Sequence, residues 1–182
     1  VHRDVRPAKI LVREDGRANP NQLMILPENE KGITELRDIL VKAHRDLYGT
    51  TDDLLIGFQL THSGRFCRPR DKKKLEPKVA YRHPILDKKF SVTSDSQILA
   101  DDDLKKLRDA FVAAAVLAKK IGAHFIDIKH CHGYLLHEFL SAHTRAGNYG
   151  GSFENRTRFF REIVDGVRSE AKGLHIGVRL SA

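Results

Sequence analysis

Few cysteines, no long apolar run and no glycine-rich dinucleotide fingerprint mark this sequence, and each absence removes a class of protein. Cys67 and Cys131 are the only two cysteines in 182 residues, too few for a disulfide framework at this size and not in C-x-x-C spacing. Reduced thiols are the expectation. No run of eighteen apolar residues offers a membrane span, and the opening Val1, His2, Arg3, Asp4 is not the apolar stretch of a secretory signal. These features lead us to expect a soluble, intracellular, cytoplasmic protein with no membrane partner. No G-x-G-x-x-G follows any β-like run, so a doubly wound dinucleotide-binding sheet loses ground.

What is present is ordinary for a globular chain, with 41% apolar and 31% charged residues, enough for one sizeable core. One domain over residues 1–182 is the natural count. Lysine and arginine number 32 against 24 acidic residues, a net charge of +8, which invites an anionic ligand or a nucleic acid. The densest basic run, Arg68 to Lys74, lacks interleaved aromatics to stack bases, so a solvated loop is the stronger reading and no nucleic-acid partner is expected.

Periodicity organises the chain. Ile10 to Val12 is a short β-like run closed by Asp15-Gly16, and Ile33, Leu36, Leu40 and Ala43 fall on one face of a helix reaching about Tyr48 and ending at Gly49. Leu54 to Leu60 is nearly continuously apolar, the pattern of a strand buried on both faces of a parallel sheet, with Gln59 as a polar anomaly. A long, basic, irregular loop covers about 62–98. Asp101 to Asp103 then start a helix whose stripe is Leu104, Leu107, Phe111, Ala114 and Ala118. Ala123 to Ile128 reads as a strand and His130 to Ser141 as a short helix. A helix from near Ser152 buries Phe159, Ile163 and Val167, and Leu174 to Leu180 makes the last strand.

Alternation of this kind implies an α/β fold with a parallel sheet and right-handed crossovers. Gln59, Lys129, His132 and Arg179 fall at the C-terminal ends of strands, where a β/α barrel builds its active site. The chain opens on Val1 and stops at Ala182 just after an apolar strand that would lack its covering helix, so we expect a segment of a longer chain.

Three segments carry a resemblance. They are FQLTHSGR (Phe58 to Arg65); DIKHCHGYLLHEFLS (Asp127 to Ser141) with YGGSFENRTRF (Tyr149 to Phe159); and GVRLSA (Gly177 to Ala182). Together they resemble the Old Yellow Enzyme family of flavin-dependent ene-reductases and NAD(P)H:flavin oxidoreductases. The resemblance implies a partial (β/α)8 TIM barrel, roughly strands two to five with their helices. It also implies FMN and NAD(P)H as cofactors and a small-molecule substrate, an activated alkene or similar acceptor. Strand one and the phosphate loops after strands seven and eight fall outside the match, so the segment alone is expected to bind FMN poorly. A homo-oligomer is left open.

The same resemblance assigns roles. Gln59 would offer donor and acceptor to the flavin's polar pyrimidine edge. Arg179 would set a fixed cation beside the atoms that become negative on reduction. His132 and Lys129 would hold the carbonyl oxygen of the acceptor, with Lys129 standing where the family normally has histidine. His130 turning inward is the alternative for that first position. Tyr134, a phenol with an ordinary pKa of about 10, would be the general acid. Gly147 falls where an aspartate is common, in a loop about two residues short. Gly150, Gly151, Glu154, Asn155 and Arg156 read as turn and helix scaffolding. Cys131 between two histidines tempts a zinc reading, as in a metal-dependent barrel hydrolase, but the three ligands are packed too tightly for one tetrahedral ion. A catalytically inactive barrel segment serving as an interaction module is the other alternative.

Overall fold

Four parallel strands stand side by side in chain order in the computed structural model, which describes residues 8–181. They are β1 (Ala8–Leu11), β2 (Gly57–Thr61), β3 (Phe125–His130) and β4 (His175–Leu180). The register sets Gln59 beside Asp127 and Lys129 beside Arg179. Side chains alternate across a strand, so Gln59, Thr61, Asp127, Lys129 and Arg179 share one face, while Phe58, Leu60, Ile126 and Ile128 turn to the other.

That second face is the core. The crossovers are α1 (Glu30–Tyr48), α3 (Asp101–Lys120) and α5 (Phe153–Glu170), with the short helices α2 (Leu86–Phe90) and α4 (Leu135–Leu140) in the connections. The expected stripe of α3, Leu104, Leu107, Phe111, Ala114 and Ala118, is fully buried against the strand residues, as are Phe159, Ile163 and Val167 of α5. Each large apolar side chain so covered contributes about 1.5–3 kcal/mol. Ser152 caps α5, its hydroxyl accepting from Asn155 N at 3.3 Å.

The sequence reading and the structure differ at three places. The helix expected from His130 to Ser141 is confined to Leu135–Leu140, because β3 runs on to His130 and the left-handed His132 and Gly133 turn the chain before a helix can start. α1 forms and ends at Gly49 in the left-handed conformation, but of the anticipated stripe only Ile33 is buried; Leu36 and Leu40 remain 47% and 54% exposed. Amphipathic spacing encodes a face, not the surface that will cover it. The stretch 62–98 is less irregular than its composition suggests: α2 and two 3-10 turns interrupt it. Val79 pairs with Ile98 through Val79 N to Gln97 O and Leu99 N to Val79 O, at 2.9 and 3.0 Å, closing the loop on itself.

Gly57 shows how tightly β2 and β3 approach, because a Cβ there would lie 2.3 Å from the Phe125 ring of its cross-strand partner. Gly57→Ala should therefore destabilise by about 1–3 kcal/mol through overpacking. An unchanged urea midpoint would show that the ring moves aside freely.

Candidate active site

The polar face of the sheet carries its residues as a connected row. Gln59 is 1% exposed and donates from Nε2 to Asp127 Oδ2 at 2.6 Å, and Arg179 Nε lies 3.7 Å from the same oxygen. Asp127 thus joins three neighbouring strands, and it directs the Gln59 carboxamide so that its carbonyl oxygen points away from the carboxylate. Arg179 is about half exposed, leaving the rest of its guanidinium open to a further acceptor. Thr61, two positions beyond Gln59, is buried, and its hydroxyl finds no hydrogen-bond partner among the described residues.

Lys129 is also 1% exposed, and its Nζ lies 3.1 Å from the centroid of the Tyr134 ring, a desolvated cation–π contact. Tyr134 is the N-cap residue of α4, and its ring packs 5.4 Å from Phe66 in the turn after β2. Burial pushes the phenol's pKa upward, so Tyr134 keeps its proton at neutral pH.

Between β3 and α4 the chain reverses through two successive left-handed residues, His132 at φ 60° and Gly133 at φ 69°. A non-glycine residue there carries strain, on the order of 1–3 kcal/mol. The His132 backbone N–H reaches the Ser181 hydroxyl at 3.4 Å. Its imidazole is exposed, and His137 of α4 has its pKa lowered by burial first and by His132 second.

Lys129 and His130 point to opposite sides. His130 faces the helices, its ring edge-on to Phe160 of α5 at 5.2 Å, with Nδ1 unpartnered among the described residues. Burial lowers its pKa to about 4, so it is held neutral. Of the two alternatives for the first carbonyl-binding position, Lys129 is the one on the polar face.

The structure therefore gathers Gln59 with Arg179 and Lys129 with Tyr134, and leaves His132 on the adjoining turn. A cavity of about 890 Å³ lies on the helix side, lined by residues such as Val112, Leu117 and Gly166, and includes none of these five.

Sequence reasoning missed two sets of residues. Asp127 is the first, and its signal is positional: a carboxylate two positions before Lys129 inside an apolar strand must share its face. The other set is a buried ion network behind Tyr134. Arg65 donates from Nε to Glu138 Oε1, from Nη1 to Asp87 Oδ1 at 3.1 Å and from Nη2 to Tyr81 O at 3.4 Å, and Glu138 Oε2 accepts from Ala80 N at 2.9 Å. Burial pushes Glu138 up to about 7, with Arg65 and the Ala80 N–H pulling against it. In front of this network His62 is fully buried, its Nε2 3.6 Å from Asp15, which Arg13 grips at 2.5 and 2.6 Å. The β1 and β2 turns are locked together there, with Ser63 N donating to Gly16 O at 2.8 Å. The scaffolding segment behaves as a brace: Arg156 reaches Leu140 O and, at 3.1 Å, Gly151 O, tying α5 to α4.

A parallel β/α sheet whose polar side chains line up towards the C-terminal ends of its strands is the arrangement of a β/α-barrel segment. The chain belongs to the NADH:flavin oxidoreductase / NADH oxidase family, whose model matches residues 7–182. It is 40% identical over 129 residues to an NADPH dehydrogenase of Bacillus subtilis, a match covering 70% of this chain and 36% of the relative. Over 185 residues it is 31% identical to an NADH:flavin oxidoreductase of Gibberella zeae, covering 94% of this chain and 43% of the relative. The Old Yellow Enzyme of a Pichia species superposes with a TM-score of 0.72 at 22% identity, covering 94% of this chain and 45% of that structure, which establishes the shared TIM-barrel fold. The chain thus spans less than half the length of each of these proteins. Among its described residues no helix is long and apolar enough to cross a membrane.

Proposed function

We propose that this chain supplies one wall of the active site of an FMN-dependent oxidoreductase that passes hydride from NAD(P)H to an activated alkene or similar acceptor. The observation that carries the reading is the row Gln59, Asp127, Arg179 across three neighbouring strands, with Lys129 and Tyr134 stacked at the same rim. These residues fit the polar edge of a flavin: an oriented amide, a cation with open donors and, at Thr61, a buried hydroxyl without a protein partner. FMN, when bound, supplies the hydride relay between donor and acceptor.

The chain's own groups do the rest. Gln59 and Arg179 would hold the pyrimidine edge, and the guanidinium favours the negative charge that reduction places there. Lys129, with His132 from the turn, would donate to the acceptor's carbonyl oxygen as it gains charge. Tyr134, kept protonated by burial, would deliver a proton to the neighbouring carbon. An ammonium at Lys129 in place of an imidazole favours acceptors that bear negative charge.

One observation favours the alternative, an interaction module without catalysis: Asp127 already accepts from the Gln59 amide and neutralises Arg179, so the buried amide donor and the cation each have a partner within the chain. An absorbance titration of FMN against the longest polypeptide that carries this chain separates the two. A shifted flavin band that Gln59→Leu weakens by about tenfold, the loss of one well-placed hydrogen bond, is the expected result. A flavin spectrum untouched by the protein would favour the interaction module.

A further inference from the structure

The loop from Arg68 to Lys78 holds six cationic side chains against two carboxylates, half of the chain's net charge of +8 within eleven residues. It is not a floppy tail. Arg68 N donates to Arg17 O at 2.8 Å, Lys74 N to Asp71 O at 3.0 Å, Glu76 N to Cys67 O at 2.8 Å and Lys78 N to Gly64 O at 3.2 Å. Pro69 and Pro77 are buried, so the loop is pinned at both ends while its tip stands in solvent. At that tip Lys72, Lys73 and Lys74 are exposed and make no ion pair among the described residues, and Asp71 spends an oxygen on the Lys73 N–H at 2.8 Å. Only Arg70 has a carboxylate partner at the tip, Glu76 at 3.4 Å, across a cavity rim it shares with Arg13.

The loop is also in the right place. It leaves the C-terminal end of β2 through Phe66, whose ring packs on Tyr134, and Arg68 is near enough for its charge to bear on the Tyr134 phenol. Arg68 opens the loop whose tip carries the three lysines, so a ligand held at Tyr134 has the start of this loop beside it. Like charges crowded on an anchored loop repel one another, and Lys72, Lys73 and Lys74 have no ion-pair partner among the described residues to relieve them; an anionic group arriving there does.

We propose that this loop binds the phosphates of a site ligand with an adenosine tail, reading in particular a ribose phosphate monoester at Lys72, Lys73 and Lys74. The inference rests on the flavin-oxidoreductase reading, which supplies a ligand whose reactive end sits at Tyr134. Lysines are compact point charges with freely turning donors, suited to a phosphate monoester rather than to a planar carboxylate. The absence of aromatics in the run argues against a single-stranded nucleic acid. Two ligands share this chemistry, a dinucleotide donor with a 2′-phosphate and a coenzyme A thioester acceptor with a 3′-phosphate.

The test is calorimetric binding of 2′,5′-ADP, 3′,5′-ADP and 5′-AMP at low salt to the longest polypeptide carrying this chain. The expected result is that one bisphosphate binds at least about tenfold more tightly than 5′-AMP, and that Lys72→Gln/Lys73→Gln/Lys74→Gln removes the difference, the sum of three exposed charge contacts. The control Lys105→Gln/Lys106→Gln/Lys119→Gln, on the exposed side of α3, should keep it. Preference for the 2′ probe assigns the dinucleotide, and preference for the 3′ probe the thioester. Equal binding of 5′-AMP, an equal loss in the control, or tighter binding of a short DNA duplex overturns the proposal. FMN binding followed in the same samples keeps the two ideas apart. Intact flavin binding without phosphate discrimination sinks the loop alone, and discrimination without flavin binding sinks the flavin reading alone.

Discussion

Arg65→Ala should cost about 3–5 kcal/mol of stability, the penalty for leaving buried carboxylates without their cation. Arg65 is 1% exposed and, among the described residues, is the cation joining Glu138 of α4 to Asp87 of α2. Without it, Glu138 loses its chief stabilising charge and keeps only the Ala80 N–H. The change also has a pH signature. Glu138 in the folded protein already titrates at about 7, above its ordinary value of 4.5, so the folded form holds a proton that the unfolded chain releases. Stability from such a group is present below the unfolded value and is lost as pH rises through the folded one. Removing Arg65 raises the folded pKa further, so the penalty should be larger at pH 8 than at pH 5. Denaturant midpoints of both proteins at the two pH values check this. A loss under about 1 kcal/mol, or one independent of pH, would mean that water reaches Glu138 and the network is not sealed. Because Glu138 N bonds Tyr134 O at 3.1 Å, the variant should also loosen the phenol's seat against Phe66.

The second large effect comes from His130. Burial lowers its pKa from 6.5 to about 4, so its contribution is fully present above pH 6.5 and disappears as the pH falls to 4. The full swing is on the order of 3 kcal/mol. His130→Leu keeps an apolar body against Phe160 and removes a ring nitrogen that has no partner among the described residues, so near neutrality the variant should be nearly as stable as the parent. Between pH 7 and 4 the parent should lose about 3 kcal/mol relative to the variant. The comparison must be made as a difference between the two proteins, because Glu138 gives both an opposite slope in this range and His62, also buried neutral, gives both the same one. Parallel pH profiles would show that His130 is solvated and would return it as a candidate for the polar face.

Much of this architecture was legible in neighbouring residues. Strand and helix order, the stripe of α3 and the starts of α3 and α5 follow from spacing, because a helix or strand face is written in residues two to four apart. Gln59, Lys129 and Arg179 stand out for a related reason: a polar group inside an apolar strand near its C-terminal end requires a partner. By contrast the stripe of α1 was read correctly as a face but not as an exposed one, since periodicity says nothing about what packs against it. The loop 62–98 concealed its short helix because its order comes from distant groups, Glu138 and Arg145 among them.

What the sequence determined by itself is therefore the order of the four strands and three long helices, the family, and which residue types reach the rim. Only the tertiary structure decided which of them meet. Gln59 and Asp127 are 68 positions apart, and Arg65 and Glu138 are 73. Lys129 lies under Tyr134 while His130 turns away because parallel register and strand alternation assign each side chain its side of the sheet. A shift of one residue in that register would exchange the two, and no local signal in the chain encodes it.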